Sequence, residues 1–338
     1  MKGQGLGFAF HGVLLLSAGG FASYVWLRDK DANVSLQGDV IVWQARSSDL
    51  TSVRFEGKKK KVNLEAKKDG LGRYFTGTMV KEAPTPPPPE SDAATPPPVP
   101  AATSTTVNIL SVGQAEKLAD AVAPLRAVRS LGHLPDDRLS EFGLSDPDGT
   151  VTLTIGGIER AIVFGASTPG GSTRYARLPS SGEVYVLQGQ LFSDLESADF
   201  RLIERELHDW KDVDVASATL MSGDKARKVV RSGPEEQRFW ADASHPEAND
   251  ETVGNWMSKL ERMRPTQYET AAPSPSTKLL RIQYSGPRGQ DLGFLELVRA
   301  DVAGKPEYFI TTERIRLSAK VIQSQAEQVE QDLAAVVK

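Results

Sequence analysis

The side chains able to do chemistry are few and scattered. There are four histidines, His11, His133, His208 and His245, and no cysteine. Without cysteine there is no thiol nucleophile, disulfide framework, iron–sulfur cluster or cysteine-ligated zinc. No two histidines stand at i, i+4, and no HExxH occurs. Carboxylates cluster at Glu204, Glu206, Asp209, Asp212 and Asp214. Such a group could hold calcium or exchange protons, but its spacing fits no EF-hand. The alternative, a solvated connection between two units, suits it better. Gly165-Ala166-Ser167-Thr168-Pro169 is one residue short of a nucleophile elbow and has no helix pattern behind it. It reads as a strand-to-loop turn. No GxxxxGK[ST] occurs, so no P-loop holds nucleotide. These residues predict no catalytic centre, no metal and no cofactor, and the chain is expected not to be an enzyme.

Two kinds of residue could bind rather than react. Trp210, Trp240 and Tyr268 could stack on carbohydrate if they share one cleft. The Lys58 to Lys61 run could touch anionic lipid or a cell-wall polymer. A charged hairpin tip that blocks edge pairing suits it better. The chain carries a net charge of −4 with a pI near 5.7, which argues against a nucleic-acid partner.

The elements that must position these residues differ along the chain. Residues 5–27 contain no Asp, Glu, Lys or Arg. As a helix they would span roughly 34 Å, against a hydrocarbon core of about 30 Å. This run is expected to be a transmembrane anchor in contact with the lipid bilayer. Residues 1–4 would form a cytoplasmic tail and 28–38 a linker. The bulk of the chain would then lie outside the cytoplasm. Ala18 and Ala22, and Gly19 and Ser23, stand four residues apart, which permits close packing on another membrane helix. His11 lies in the same run and could bond a partner helix or snorkel to the headgroups. Residues 83–102 hold nine of the 21 prolines and read as an extended insert in a surface loop.

The remainder repeats itself. Strand signals over 40–76 are followed by a helical pattern over about 114–130, carried by Leu118, Val122, Leu125 and Val128. More strands follow, with Gly156-Gly157 as a turn, and then a helix over about 190–206. Shifted by 135 residues, the four helix positions fall on Val253, Met257, Leu260 and Met263. Val151, Leu153 and Ile155 fall on Leu280, Ile282 and Tyr284, and Tyr74 falls on Trp240. Glu183-Val184-Tyr185 falls on Glu307-Tyr308-Phe309. A final helix is expected over about 317–336. The expected fold class is α+β. An N-terminal transmembrane helix precedes two repeated α+β units, 39–210 and 211–338, with antiparallel sheets and amphipathic helices.

The order of these motifs resembles the bacterial domain-of-unknown-function family 4340. The resemblance is carried by the helix at 114–130 and by Phe142-Gly143-Leu144-Ser145-Asp146-Pro147 before a strand. It is carried also by Ile162-Val163-Phe164-Gly165, Arg174-Tyr175-Ala176-Arg177 and Glu183-Val184-Tyr185-Val186. It covers much of 39–210 and, more faintly, 211–338. The proline insert and a second copy without Gly-Leu-x-Asp-Pro depart from the pattern. The resemblance implies a single-pass protein of the bacterial inner membrane with its C-terminal units in the periplasm. It implies partners such as a permease and auxiliary subunits of a gliding-motility-type ABC transporter. The expected function is an auxiliary or scaffold subunit of such a complex. The alternative is a periplasmic module that binds glycan or peptidoglycan.

Overall fold

The computed structural model describes residues 40–82 and 104–338. The first unit runs β1 (Val40–Trp43), β2 (Leu50–Gly57), β3 (Lys60–Asp69), β4 (Gly72–Lys81) and β5 (Thr105–Ser111). It continues through α1 (Gly113–Val122), β6 (Leu125–Ala127), β7 (Arg129–His133), β8 (Gly149–Ile155), β9 (Ile158–Ser167), β10 (Thr173–Arg177) and β11 (Glu183–Gln188). Helices α2 (Gln190–Glu196) and α3 (Ala198–Arg201) close it. The second unit runs β12 (Ser217–Ser222), β13 (Lys225–Ser232), β14 (Phe239–Asp242) and α4 (Glu251–Glu261). It ends with β15 (Pro265–Glu269), β16 (Ser276–Ser285), β17 (Asp291–Val302), β18 (Lys305–Thr312), β19 (Ser318–Val321) and α5 (Gln323–Val336).

Two antiparallel sheets dominate. The first is ordered β5-β4-β3-β2-β8-β9-β10-β11-β7 and the second β14-β13-β12-β16-β17-β18-β19-β15. Leaving out β5, the two orders coincide strand for strand, with β2 in the place of β12 and β7 in the place of β15. The hairpins follow from local chemistry. Gly156 and Gly157 both take positive φ, 60° and 79°, as a tight two-residue turn between β8 and β9 requires. The central strands bury alternate residues. Val53 and Phe55, Val62 and Leu64, and Val151, Leu153 and Ile155 face the first core. Leu280, Ile282 and Tyr284, with Leu295 and Leu297, face the second. One helical layer covers each inner face. Helix α4 contributes Val253, Trp256, Met257 and Leu260, and α5 contributes Ala326, Val329, Leu333 and Val336. The Trp256 indole Nε1 donates to the Val329 carbonyl at 2.9 Å and joins the two helices.

The α+β expectation needs correction. Nineteen strands stand against five α-helices among the described residues, and the longest helix has 14 residues. The architecture is mainly antiparallel β. No helix among the described residues is long and apolar enough to cross a membrane. The transmembrane helix, the single-pass topology and the inner-membrane placement with periplasmic units are therefore withdrawn as descriptions of this fold. The run 5–27 on which they rested lies outside the described residues, with His11, Ala18, Gly19, Ala22 and Ser23. The proline segment 83–102 lies outside them too. The strands on either side of it pair with each other, Lys81 opposite Thr105.

Three local corrections follow. The helix expected over 114–130 stops at Val122, because Pro124 has no N–H and its ring opposes helix continuation. Leu125 and Ala127 instead alternate inward from β6, which pairs with β1. Ser318–Val321 forms β19, so the last helix begins at Gln323 rather than 317. The match of Glu183 to Glu307 is one strand out of step, since sheet order sets β11 against β19 and β10 against β18.

One clamp gives the second unit an acid-sensitive point. Arg227 donates to Asp242 at 2.8 Å, to Asp250 at 2.7 Å and to the Val336 carbonyl at 2.9 Å. Ser244 and then Arg227 hold the Asp242 carboxyl well below the usual range. Burial pushes Asp250 up, but the Val253 N–H that it caps and Arg227 outweigh this and lower it. Both carboxyls are thus more acidic folded than unfolded. Their contribution is present above the unfolded value of about 3.9 and is lost as pH falls through the lower folded values. The urea midpoint should therefore fall as pH drops from about 5 towards 2. Arg227→Met should flatten that dependence; an unchanged slope would exclude the clamp as its source.

Candidate functional site

The connector over 202–216 belongs structurally to both units. Ile203, Leu207 and Val215 are buried in the second core, and so is Leu110 from β5 of the first unit. The boundary expected at 210/211 falls inside this connector. At its centre is Glu204, 4% exposed. Its Oε1 accepts from the Arg205 and Glu206 N–H groups at 3.0 and 2.9 Å. Its Oε2 accepts from the Gly113 N–H at 3.3 Å and from Arg314 Nη2 at 3.1 Å. Gly113 opens α1, so the carboxylate also faces the positive end of that helix. The Glu204 N–H donates to the Leu110 carbonyl at 2.7 Å, and the Tyr268 hydroxyl donates to the Glu204 carbonyl at 2.7 Å. Thus β5 and α1 of the first unit are tied to β15 and Arg314 of the second through one residue. Two outer contacts repeat the link. Arg316 pairs with Asp69 at 2.8 Å and lies over the Tyr74 ring, and Asn108 donates to Glu269 at 3.2 Å.

Beyond Glu204 the same connector forms one wall of a cleft of about 210 Å³. Trp210, Trp240 and Tyr284 supply its aromatic surface. The His208 ring stacks on Trp210 at 4.1 Å, and Trp210 tilts against Tyr284 at 4.7 Å. His208 Nδ1 is 2.8 Å from Glu313 Oε1, which fixes the imidazole in plane. Opposite, Arg231 lies over the Trp240 ring at 4.6 Å and pairs with Asp212 and, at 3.9 Å, with Glu261. Burial, and then the neighbouring Asp212, push the Glu261 carboxyl up; Arg231 opposes them. Arg205 and Arg264 also line the cleft. Among the described residues neither has a carboxylate within ion-pair distance. Arg264 donates only to the Glu261 and Met263 carbonyls.

The three aromatic residues singled out by sequence separate into two groups. Trp210, half-buried, and Trp240, 3% exposed, meet at this cleft. Tyr268 does not; it is fully buried at the junction, and burial pushes its phenol well up. The acidic cluster lies on the connector between the units, and all of it but Glu204 is exposed. Asp209 pairs with Arg314, Asp212 with Arg231, and Asp214 accepts from the Lys211 N–H at 2.9 Å. Tyr284, Glu261, Arg264 and Arg314 were not legible as site residues. Their partners lie across the second unit in sequence, and no local motif marks them. The lysine run does form a hairpin tip, between β2 and β3, where Lys58 pairs with Asp146 at 2.9 Å.

The motif residues behind the family resemblance pack on one another. Phe142 meets the Tyr175 ring edge-on at 4.8 Å. Arg174 donates to the Gly165 carbonyl at 2.9 Å and lies 4.0 Å over the Phe192 ring. Gly165 has no room for a side chain, since a Cβ there would stand 2.3 Å from the Phe142 carbonyl. With Leu139, Leu144 and Val184 this plug covers the outer face of the first sheet. Its role is packing, and Ser167 within it ends a strand.

A comparison with curated proteins finds no match. The family described as "Domain of unknown function (DUF4340)" matches residues 112–281. That span starts at the edge of α1, crosses the connector with Glu204, and ends within β16. It takes in half of the 338 residues together with the packed motif, and the chain therefore belongs to the DUF4340 family.

Proposed function

We propose that the chain is a non-enzymatic auxiliary or scaffold subunit of a larger assembly, of the ABC-transporter or gliding-motility type. The observation that carries this reading is the junction at Glu204. A buried carboxylate shared by both units, with ion pairs around it, ties the two sheets together and should hold them at one angle. A fixed angle is what a scaffold needs, because surfaces presented in place avoid the ordering penalty of association. The test is cross-linking in intact cells followed by purification of the full chain. Recovery of a permease, its ATPase or an auxiliary transport subunit, cross-linked to mapped lysines, is the expected result. Recovery of the chain alone, or only of soluble enzymes, would contradict it.

A second reading, a glycan-binding module, is favoured by one observation. Trp210, half-buried, lines the same cleft as Asp212 and Glu261, the mixture of flat apolar and planar polar groups that sugar rings use.

A further inference from the structure

We infer that the cleft beside the junction accepts a single carboxylated sugar ring, with the acid group on the arginine side. The inference rests on the glycan-binding reading and sharpens it to a ligand class. Three observations carry it.

The first is size. At about 210 Å³, the cleft is on the scale of one ring. The second is the aromatic wall. Trp210 is held by His208 on one side, and His208 is itself fixed by Glu313, so the indole is set before any ligand arrives. An aromatic face carries negative charge and attracts the polarised C–H groups of a sugar ring. The third is the distribution of charge. Asp212 and Glu261 are both engaged by Arg231, which leaves oxygen lone pairs for ring hydroxyls. Arg264, on the same cleft, lacks any carboxylate partner among the described residues and donates to main-chain carbonyls. Arg205, by contrast, lies over the Phe200 ring at 4.4 Å, and Glu206, of opposite charge, lines the cleft beside it. A guanidinium without a carboxylate, beside an aromatic face, suits a carboxylate ligand bound through two parallel N–H donors. A neutral sugar would leave the Arg264 charge unused.

The test is isothermal titration of the full chain with glucuronate, glucose and acetate. Glucuronate should bind saturably and about tenfold or more tighter than glucose, the value of one charge-assisted pair. Acetate should bind weakly. Arg264→Ala should erase the advantage of glucuronate over glucose. Arg264 is exposed, so an unchanged melting curve will show the variant folded. Equal binding of glucose and glucuronate would overturn the acidic-ring inference while leaving the glycan reading in place. Binding of neither sugar would overturn both. Acetate binding as tightly as glucuronate would show that the ring contributes nothing and would overturn the saccharide class.

Discussion

Replacing Glu204 with alanine is expected to destabilise the chain by about 3–5 kcal/mol, the usual loss when one member of a buried ion pair is removed. The pair is Glu204 with Arg314, whose side chains are 5% and 15% exposed. Truncation removes an acceptor from three backbone N–H groups as well, those of Gly113, Arg205 and Glu206. These donors are only partly buried, so water can take over part of what they lose. Arg314 keeps Asp209 as a partner, which moderates the loss. Glu204→Gln retains the shape and some acceptor capacity, so its effect should be smaller. Changing both Glu204 and Arg314 to leucine should be milder than the sum of the single changes, because neither charge is then stranded. Urea unfolding followed by circular dichroism measures the starting chain, these three variants and the two single leucine changes. A loss below about 1 kcal/mol for Glu204→Ala would mean that the junction is not a buried ionic contact.

The second large effect is expected at Trp256. It is 1% exposed and packs between α4 and α5. Trp256→Ala should destabilise by about 3–5 kcal/mol through lost burial and the cavity left behind. Its Nε1 bond to Val329 is the only polar tie it makes in the described structure. Trp256→Phe should therefore lose less, about 1 kcal/mol for that bond and a further part for the smaller ring. Because the second core contains Leu110 of β5 and the connector, loosening it should also loosen the junction. Hydrogen exchange would show this as faster exchange in β5 as well as in α4 and α5. Faster exchange confined to α4 and α5 would argue that the cores are energetically separate.

Much of the repeat was legible because alternation in strands is a strong signal. Val151, Leu153 and Ile155 match Leu280, Ile282 and Tyr284, and the two trios occupy equivalent strands, β8 and β16. Helix α4 begins and ends close to where the Val253, Met257 and Leu260 spacing places it. The misses come from short apolar segments that fit two periods. Leu118, Val122, Leu125 and Val128 suit a helix, yet Leu125 and Ala127 also suit a strand, and pairing with β1 decides the matter. Leu317 and Val321 stand four apart as in a helix, but Ser318–Val321 is captured by β15 and β18. Of the site, sequence reading located Trp210 and Trp240 but not what joins the two units. Glu204 and Arg314 are 110 positions apart, and nothing local marks a carboxylate as buried. Tyr268 looked like a stacking residue because an aromatic ring at a strand centre serves either a core or a binding surface.

The account depends on the two units being held at one angle. The chain has no cysteine, so two introduced thiols label it without background. Ile158→Cys, at the exposed turn between β8 and β9, and Asp224→Cys, at the turn between β12 and β13, place one spin label on each unit. Pulsed dipolar spectroscopy on this chain should give one narrow distance distribution, and Glu204→Ala in the same background should broaden it. A broad or two-peaked distribution with Glu204 intact would contradict the account.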